Sequence, residues 1–156
     1  MSGYVSEEVR KRVRQQAGHR CGYCLSPQHL VLGTLEIEHL VPRGRGGSDD
    51  EGNLWLACRL CNNFKADQVS ARDPEAGRDT ALFNPRQQSW ADHFLWTEDG
   101  TKIEGRTPCG RATVLALQLN NIVAVTVRRY WVQAGWHPPR DVNQTEPVDS
   151  SFEIPS

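Results

Sequence analysis

Cys21-Gly22-Tyr23-Cys24 and Cys58-Arg59-Leu60-Cys61 bracket the run Glu36-Ile37-Glu38-His39-Leu40-Val41-Pro42, and the reading of this stretch decides the fold. Two Cys-x-x-Cys pairs supply the four thiolates of one tetrahedral zinc site. Between Cys24 and Cys58 lie 33 residues, where a plain zinc ribbon holds about 15–20. A structure of its own is therefore threaded between the two knuckles, and it carries carboxylates, a histidine and an asparagine.

Within that insert, Leu35, Ile37 and Leu40 alternate with Glu36 and Glu38, the period-two pattern of a half-buried strand, which Pro42 stops. Residues 43–52, with four glycines and Asp49-Asp50-Glu51, read as a loop. Leu54-Trp55-Leu56-Ala57 returns as a second strand, and Asn62 to about Asp67 begins a helix before the break at Arg72-Asp73-Pro74. Ahead of the insert, Ser6 is a helix cap, Glu7 and Glu8 suit the positive end of the dipole, Val9 and Val13 give an apolar edge, and Gly18 ends the helix.

Downstream, Trp90–Trp96 and Thr101–Arg106 flank an Asp99-Gly100 turn and predict a hairpin, with its aromatic residues packing in a core rather than stacking on bases. Thr107 and Pro108 suit the N-cap and first turn of one long helix ending at Gly135. Its apolar residues, among them Val114, Leu115, Leu117, Leu119, Ile122, Val123, Val125 and Val127, predict that it is largely buried. From His137-Pro138-Pro139 onward the sequence reads as an extended or disordered tail.

The composition bounds the class. A chain of 156 residues is one domain with a tail, and a hydrophobic share of 38% gives a modest core that a metal staple would support. No run approaches the roughly 18–20 apolar residues of a membrane helix, and the N-terminus lacks a secretory pattern, so a cytoplasmic protein is expected. In a reducing compartment the paired cysteines favour metal over disulfide, and Cys109 is left over as an inert thiol. Net charge is −1, yet residues 1–140 carry +3 once the four acidic residues of the last 16 are set aside. Positive charge clusters at Arg10, Lys11, Arg12, Arg14 and Arg20, at Arg43 and Arg45 on the loop, and at Arg59 and Lys65, as a polyanionic partner requires.

The combination of Cys21-x-x-Cys24, Glu38-His39-Leu40-Val41-Pro42-Arg43, Gly46-Gly47-Ser48-Asp49-Asp50, Asn53-Leu54 and Cys58-x-x-Cys61-Asn62-x-x-Lys65 resembles the HNH endonuclease family with its ββα-metal motif. Each piece alone is weak, and the combination is specific. The resemblance implies that His39 is the general base for an attacking water, since an imidazole is mostly neutral near pH 7. It implies that Glu38 and Asn62 hold one catalytic divalent ion, Mg²⁺ or Mn²⁺, through hard oxygens. Asn53 braces the loop that orients His39. Lys65 reaches phosphate or the transition state, its alternative being a solvent-facing side chain, and Arg43 and Arg45 hold backbone phosphates. Glu36 shares the strand face of Glu38 and is the rival ligand. Glu38 stands where the family more commonly has Asp, and Asn62 where it often has His.

The expectation is an α+β single domain: an N-terminal helix and a zinc-clamped ββα unit over residues 1–70, a β-hairpin and long buried helix over 71–137, and an acidic tail over 138–156. The expected activity is metal-dependent DNA phosphodiester hydrolysis, with structural Zn²⁺ on Cys21, Cys24, Cys58 and Cys61. One site cuts one strand, so a double-strand break calls for a homodimer or two events. One alternative is a non-catalytic zinc module that only binds nucleic acid. A redox iron site on the four thiolates is another, and it leaves Glu38, His39 and Asn53 unexplained.

Overall fold

Ser6 caps the first helix as the sequence predicts, its hydroxyl accepting from Val9 N at 3.2 Å. The computed structural model describes residues 4–140. Helix α1 spans Glu7–Gln16 and buries Val13 against Val5 and Leu54, with Val9 and Ile37 packed alongside. Its basic residues are partly spoken for: Arg14 donates to Leu35 O at 2.8 Å and Arg12 pairs with Glu51 at 2.8 Å.

Strands β1 (Glu36–His39) and β2 (Leu54–Ala57) form an antiparallel pair in the register Glu36↔Ala57, Ile37↔Leu56, Glu38↔Trp55 and His39↔Leu54. Helix α2 (Arg59–Lys65) follows at once. It starts earlier than the sequence suggests, because Cys58 is its N-cap and the Cys58 sulfur accepts from Cys61 N. Strand, strand and helix thus stand in the order the motif predicts.

Ser70–Arg72 (β3) and Asp79–Ala81 (β4) make a hairpin that the sequence reading passed over as a break. The turn between them is held from outside: Arg111 places Nε and Nη2 on the two oxygens of Asp73 at 3.0 and 2.9 Å. The guanidinium, with backbone donors from Glu75, holds the Asp73 carboxyl down to about 2. No alternation in the sequence announces this fork-to-carboxylate staple across 38 positions.

The predicted second hairpin exists in shortened form. Trp90–His93 is a helical turn (α3), and only Phe94–Trp96 (β5) pairs with Ile103–Gly105 (β6). Trp90 and Trp96 stack with ring centres 5.3 Å apart inside the core, and Trp90 Nε1 donates to Tyr23 O at 2.8 Å. These rings join Cys21, Tyr23, Cys24, Phe83, Leu117 and Leu119 in one cluster, so the cysteine knuckles and the C-terminal layer share a core. Glycine permits the close packing of this hairpin on the next helix: a Cβ on Gly110 would lie 2.0 Å from His93 O.

The single long helix is corrected to two, α4 (Pro108–Ala116) and α5 (Ile122–Ala134). Apolar periodicity runs through the break and hides it, but Asn120 and Asn121 offer the backbone better partners than a helix does. Asn121 caps α5 by accepting from Ala124 N at 2.9 Å, and Asn120 bridges both Ile103 N and Ile103 O at 2.8 Å. Between them and α4, Gln118 adopts φ +47. Nor is the helical layer wholly buried, since Leu115, Ile122, Val123 and Val127 face outward. Gly135 ends α5 in the left-handed conformation as expected.

His137, read as the start of the tail, is instead buried. Its Nε2–H donates to Gly100 O at 3.0 Å, and its ring stands edge-on to Trp96 and Trp131. Burial lowers this imidazole to about 4, with Arg128 adding to the effect, so it stays neutral. The predicted acidic tail lies outside the described residues from 141 onward. Among the described residues no helix is long and apolar enough to cross a membrane.

Candidate active site and metal centre

The four paired cysteines converge. Sγ atoms of Cys21, Cys24, Cys58 and Cys61 all lie within 4.8 Å of one another, with Cys24 and Cys58 at 3.7 Å. A tetrahedron with metal–sulfur bonds of about 2.3 Å has an edge of about 3.8 Å, so the spacing suits one Zn²⁺. Burial pushes Cys21 up, and neighbouring thiols also push Cys61 up, whereas hydrogen bonds from Cys21, Cys58 and Cys61 pull Cys24 well down. Four thiolates together therefore require a cation among them. Burial also pushes the Cys109 thiol up, which disfavours its thiolate.

Alternation along β1 sends Glu36 and Glu38 toward α2, where Asn62 and Lys65 sit three residues apart on one helical face. Asn62 Nδ2 donates to Glu36 Oε2 at 2.7 Å, and Lys65 Nζ pairs with Glu38 Oε1 at 2.9 Å. Both Glu38 and Lys65 are buried, at 2% and 3% exposure. Tyr23 OH adds a third contact, donating to Glu38 Oε1 at 2.9 Å. Burial raises the Glu38 carboxyl, and Lys65 is the largest influence opposing it. Glu38 Oε2 is buried with no hydrogen-bond partner.

The solvent-facing alternative for Lys65 is corrected: its ammonium is enclosed by Glu38 and by the carbonyl oxygens of His39 at 3.3 Å and Leu40 at 3.1 Å. Those contacts pin the backbone at the end of β1. Three donors on an ammonium match these three acceptors, which is why the chain tolerates a charge this deep.

His39 falls on the opposite strand face and is bound by a residue the sequence reading left in the loop. Its Nε2 lies 2.6 Å from Asp49 Oδ1, and Arg43 approaches the same oxygen at 2.7 Å. The His39 and Arg43 contacts hold the Asp49 carboxyl below the usual range, so it is ionised and acts only as acceptor. Nε2 must then carry the hydrogen in the neutral ring, and the Nδ1 lone pair is left free to take a proton. Only the spacing of Asp49 from Gly46-Gly47 hinted at this, and spacing alone does not show the loop folding back.

The loop itself is braced by Asn53. Its Oδ1 accepts from Val41 N at 2.9 Å, while Nδ2 donates to Val41 O at 3.0 Å and Ser48 O at 2.8 Å. Gly47 fits where nothing larger does, since a Cβ there would stand 1.7 Å from Val41 O. Arg43 and Arg45 lie on a short 3₁₀ turn of this loop, both half exposed, with Arg45 bound to Asp67. At the strand end the two faces meet: a cleft of about 250 Å³ is lined by Ile37, Glu38, His39, Pro42, Arg43, Asn62 and Ala66.

Residues 21–68 match the family model described as HNH endonuclease, and the resemblance read from the sequence is borne out over that stretch. No curated protein and no solved structure matches the chain.

Proposed function

We propose that residues 21–68 form the catalytic unit of a metal-dependent endonuclease that hydrolyses DNA phosphodiester bonds. The observation that carries this reading is the meeting of Glu38, His39 and Asn62 on one cleft with Arg43 at its edge. The family match over residues 21–68 supports a nuclease-type function, and the geometry of the cleft supports the residue roles below.

Neutral His39 takes the proton of an attacking water at Nδ1. Asp49 holds the ring by Nε2–H and stabilises the imidazolium that forms. Asn53 and Gly47 keep the loop in the shape that presents Asp49 to the ring. Arg43 and Arg45 exchange their carboxylate partners for backbone phosphates as DNA arrives, contacts that position without reading sequence.

The donor set fits a hard divalent ion. Glu38 Oε2 is a buried carboxylate oxygen with no hydrogen-bond partner, and Asn62, with Nδ2 committed to Glu36, has Oδ1 to offer. Glu38 and Asn62 would hold Mg²⁺ or Mn²⁺, which when bound supplies Lewis-acid stabilisation of the charge on phosphate. Glu36 is thereby a positioning residue for Asn62, and Lys65 for Glu38. The four cysteines would hold a separate, closed Zn²⁺ that fixes both ends of the unit.

Relaxation of supercoiled plasmid tests the reading. Zinc-loaded protein given Mg²⁺ or Mn²⁺ nicks the plasmid, and the same protein without added divalent ion does not. Tight DNA binding with no cleavage under any divalent ion would instead favour the non-catalytic zinc module.

A further inference from the structure

The largest side chain wholly buried among the described residues is a cation. Arg128 on α5 is 2% exposed, and its guanidinium donates to Thr101 O at 3.1 Å and Leu119 O at 2.7 Å, with Asn120 Oδ1 at 3.5 Å. Its Cζ lies over the Trp96 ring, 5.4 Å from the centre. All of these partners are neutral. Among the described residues no carboxylate pairs with Arg128, and Asp99, the acid closest in sequence to Thr101, is held by Thr97, Thr101 and Lys102. A guanidinium this deep with neutral partners alone is less favourable than an apolar side chain of the same volume. An anion must therefore lie within its reach.

The surroundings of Arg128 identify that anion. Leu119 and Trp96 belong to the cluster that contains Cys21, Cys24 and Cys61 and against which Cys58 packs. Burial pulls the guanidinium below its usual value, and the charges opposing that pull are Cys24, Cys61, Cys58 and Cys21, in that order. His137, edge-on to Trp96, is pushed down by Arg128 and Arg20 and drawn up by Cys24, so these groups surround one spot. Four thiolates around one Zn²⁺ leave two negative charges over, and in an interior of low dielectric such charges act across several ångströms.

We propose that Arg128 is the counter-charge of the zinc–tetrathiolate centre, a positioning residue that stabilises the four thiolates from outside the set of metal ligands. This rests on the zinc reading of the four cysteines. It makes α5, far beyond residues 21–68, part of the metal centre. Zinc loading draws the C-terminal layer onto the clamp, and α5 in turn raises zinc affinity, because such coupling is reciprocal. Arg20, beside Cys21 in the chain and donating to Leu25 O at 3.1 Å, supplies a second guanidinium near the first knuckle.

Competition with a chelator measures zinc affinity in the full chain. Arg128→Gln keeps a donor for the carbonyl oxygens and loses the charge, whereas Arg128→Lys keeps the charge and loses the fork. Arg128→Gln is expected to weaken zinc binding by about 10- to 100-fold, while Arg128→Lys stays within about threefold of the unaltered chain. Arg129→Gln, at the exposed neighbouring position on α5, makes the same charge change and leaves zinc affinity unaltered. Co²⁺ in place of Zn²⁺ adds a signature that backbone hydrogen bonding does not move. With the cation gone the thiolate electrons are held less tightly, and the sulfur-to-cobalt absorption of Arg128→Gln shifts to longer wavelength. Circular dichroism at saturating zinc checks that the helices persist. Equal loss in Arg128→Gln and Arg128→Lys, no loss in either, or an unshifted cobalt band in Arg128→Gln overturns the inference. If Arg128→Gln does not fold even with excess zinc, Arg128→Lys decides alone, and a loss of about tenfold or more there overturns it. An unaltered chain that takes up no zinc refutes the zinc reading and this inference with it, whereas zinc held equally by all variants refutes this inference alone.

Discussion

Lys65→Met puts a thioether of similar length where an ammonium now sits, and leaves the Glu38 carboxylate buried at 2% exposure without its 2.9 Å partner. Removing one member of a buried ion pair costs about 3–5 kcal/mol, and the two carbonyl contacts to His39 and Leu40 about 1 kcal/mol each where they are not replaced by water. A total of about 5–7 kcal/mol is a large share of the 5–15 kcal/mol of an ordinary domain, and lowers Tm by roughly 10–28 °C. The loss depends on pH. Burial already raises Glu38, and Lys65 is what restrains it. A carboxyl whose folded pKa is above its unfolded value of about 4.3 binds its proton better in the folded state, so stability falls as pH rises from there through the folded value. Without Lys65 that fall extends to higher pH, making Lys65→Met worse at pH 8 than at pH 5, where Glu38 relieves itself by protonation. Lys65→Met with Glu38→Leu removes the orphan charge and recovers most of the stability. Urea unfolding of the zinc-loaded proteins at pH 5 and pH 8 measures each quantity. A loss below about 1 kcal/mol, or one equal at both pH values, would refute the view that Lys65 is the buried counter-charge of Glu38.

Two further outcomes are expected. Cys58→Ser keeps an oxygen able to cap α2 but loses a soft ligand, so elemental analysis should find zinc falling from one per chain toward none, whereas Cys109→Ser leaves zinc unchanged; full zinc in Cys58→Ser would contradict the four-sulfur site. Gly47→Ala drives a methyl into Val41 O and costs several kcal/mol or displaces the loop from Asp49, while Gly44→Ala, with open space around it, changes Tm by less than about 2 °C; equal behaviour of the two would undo the argument that Gly47 is fixed by close approach.

The ββα unit was legible because its signals are local or rigidly spaced. Ser6 caps α1, Pro42 ends the first strand region, and the distance from Cys24 to Cys58 announces an insert. The contacts of Asn53 are local in the same way, its amide spanning Val41 and Ser48 within a dozen residues. What the sequence hid were tertiary choices. Whether Lys65 points in or out depends on a strand 26 residues away. Asp49 has no signature that separates it from any loop aspartate until the loop folds over His39. The break between α4 and α5 was masked because apolar spacing continues through Leu117 and Leu119, which are buried by the core rather than by a helix face. His137 looked like tail because two prolines follow it, yet Trp96 and Trp131 hold it inside. Exposure of Val123 and Val127 was misjudged since an exposed apolar face and a core face carry the same residues.

The most direct measurement is the rate of plasmid nicking by His39→Ala beside the unaltered protein, both zinc-loaded, folded to the same Tm and supplied with the same Mg²⁺ or Mn²⁺. Loss of a general base predicts a rate lower by about 100- to 10,000-fold with zinc content unchanged. Nicking by His39→Ala at the rate of the unaltered protein would contradict the assignment of this cleft as the catalytic site.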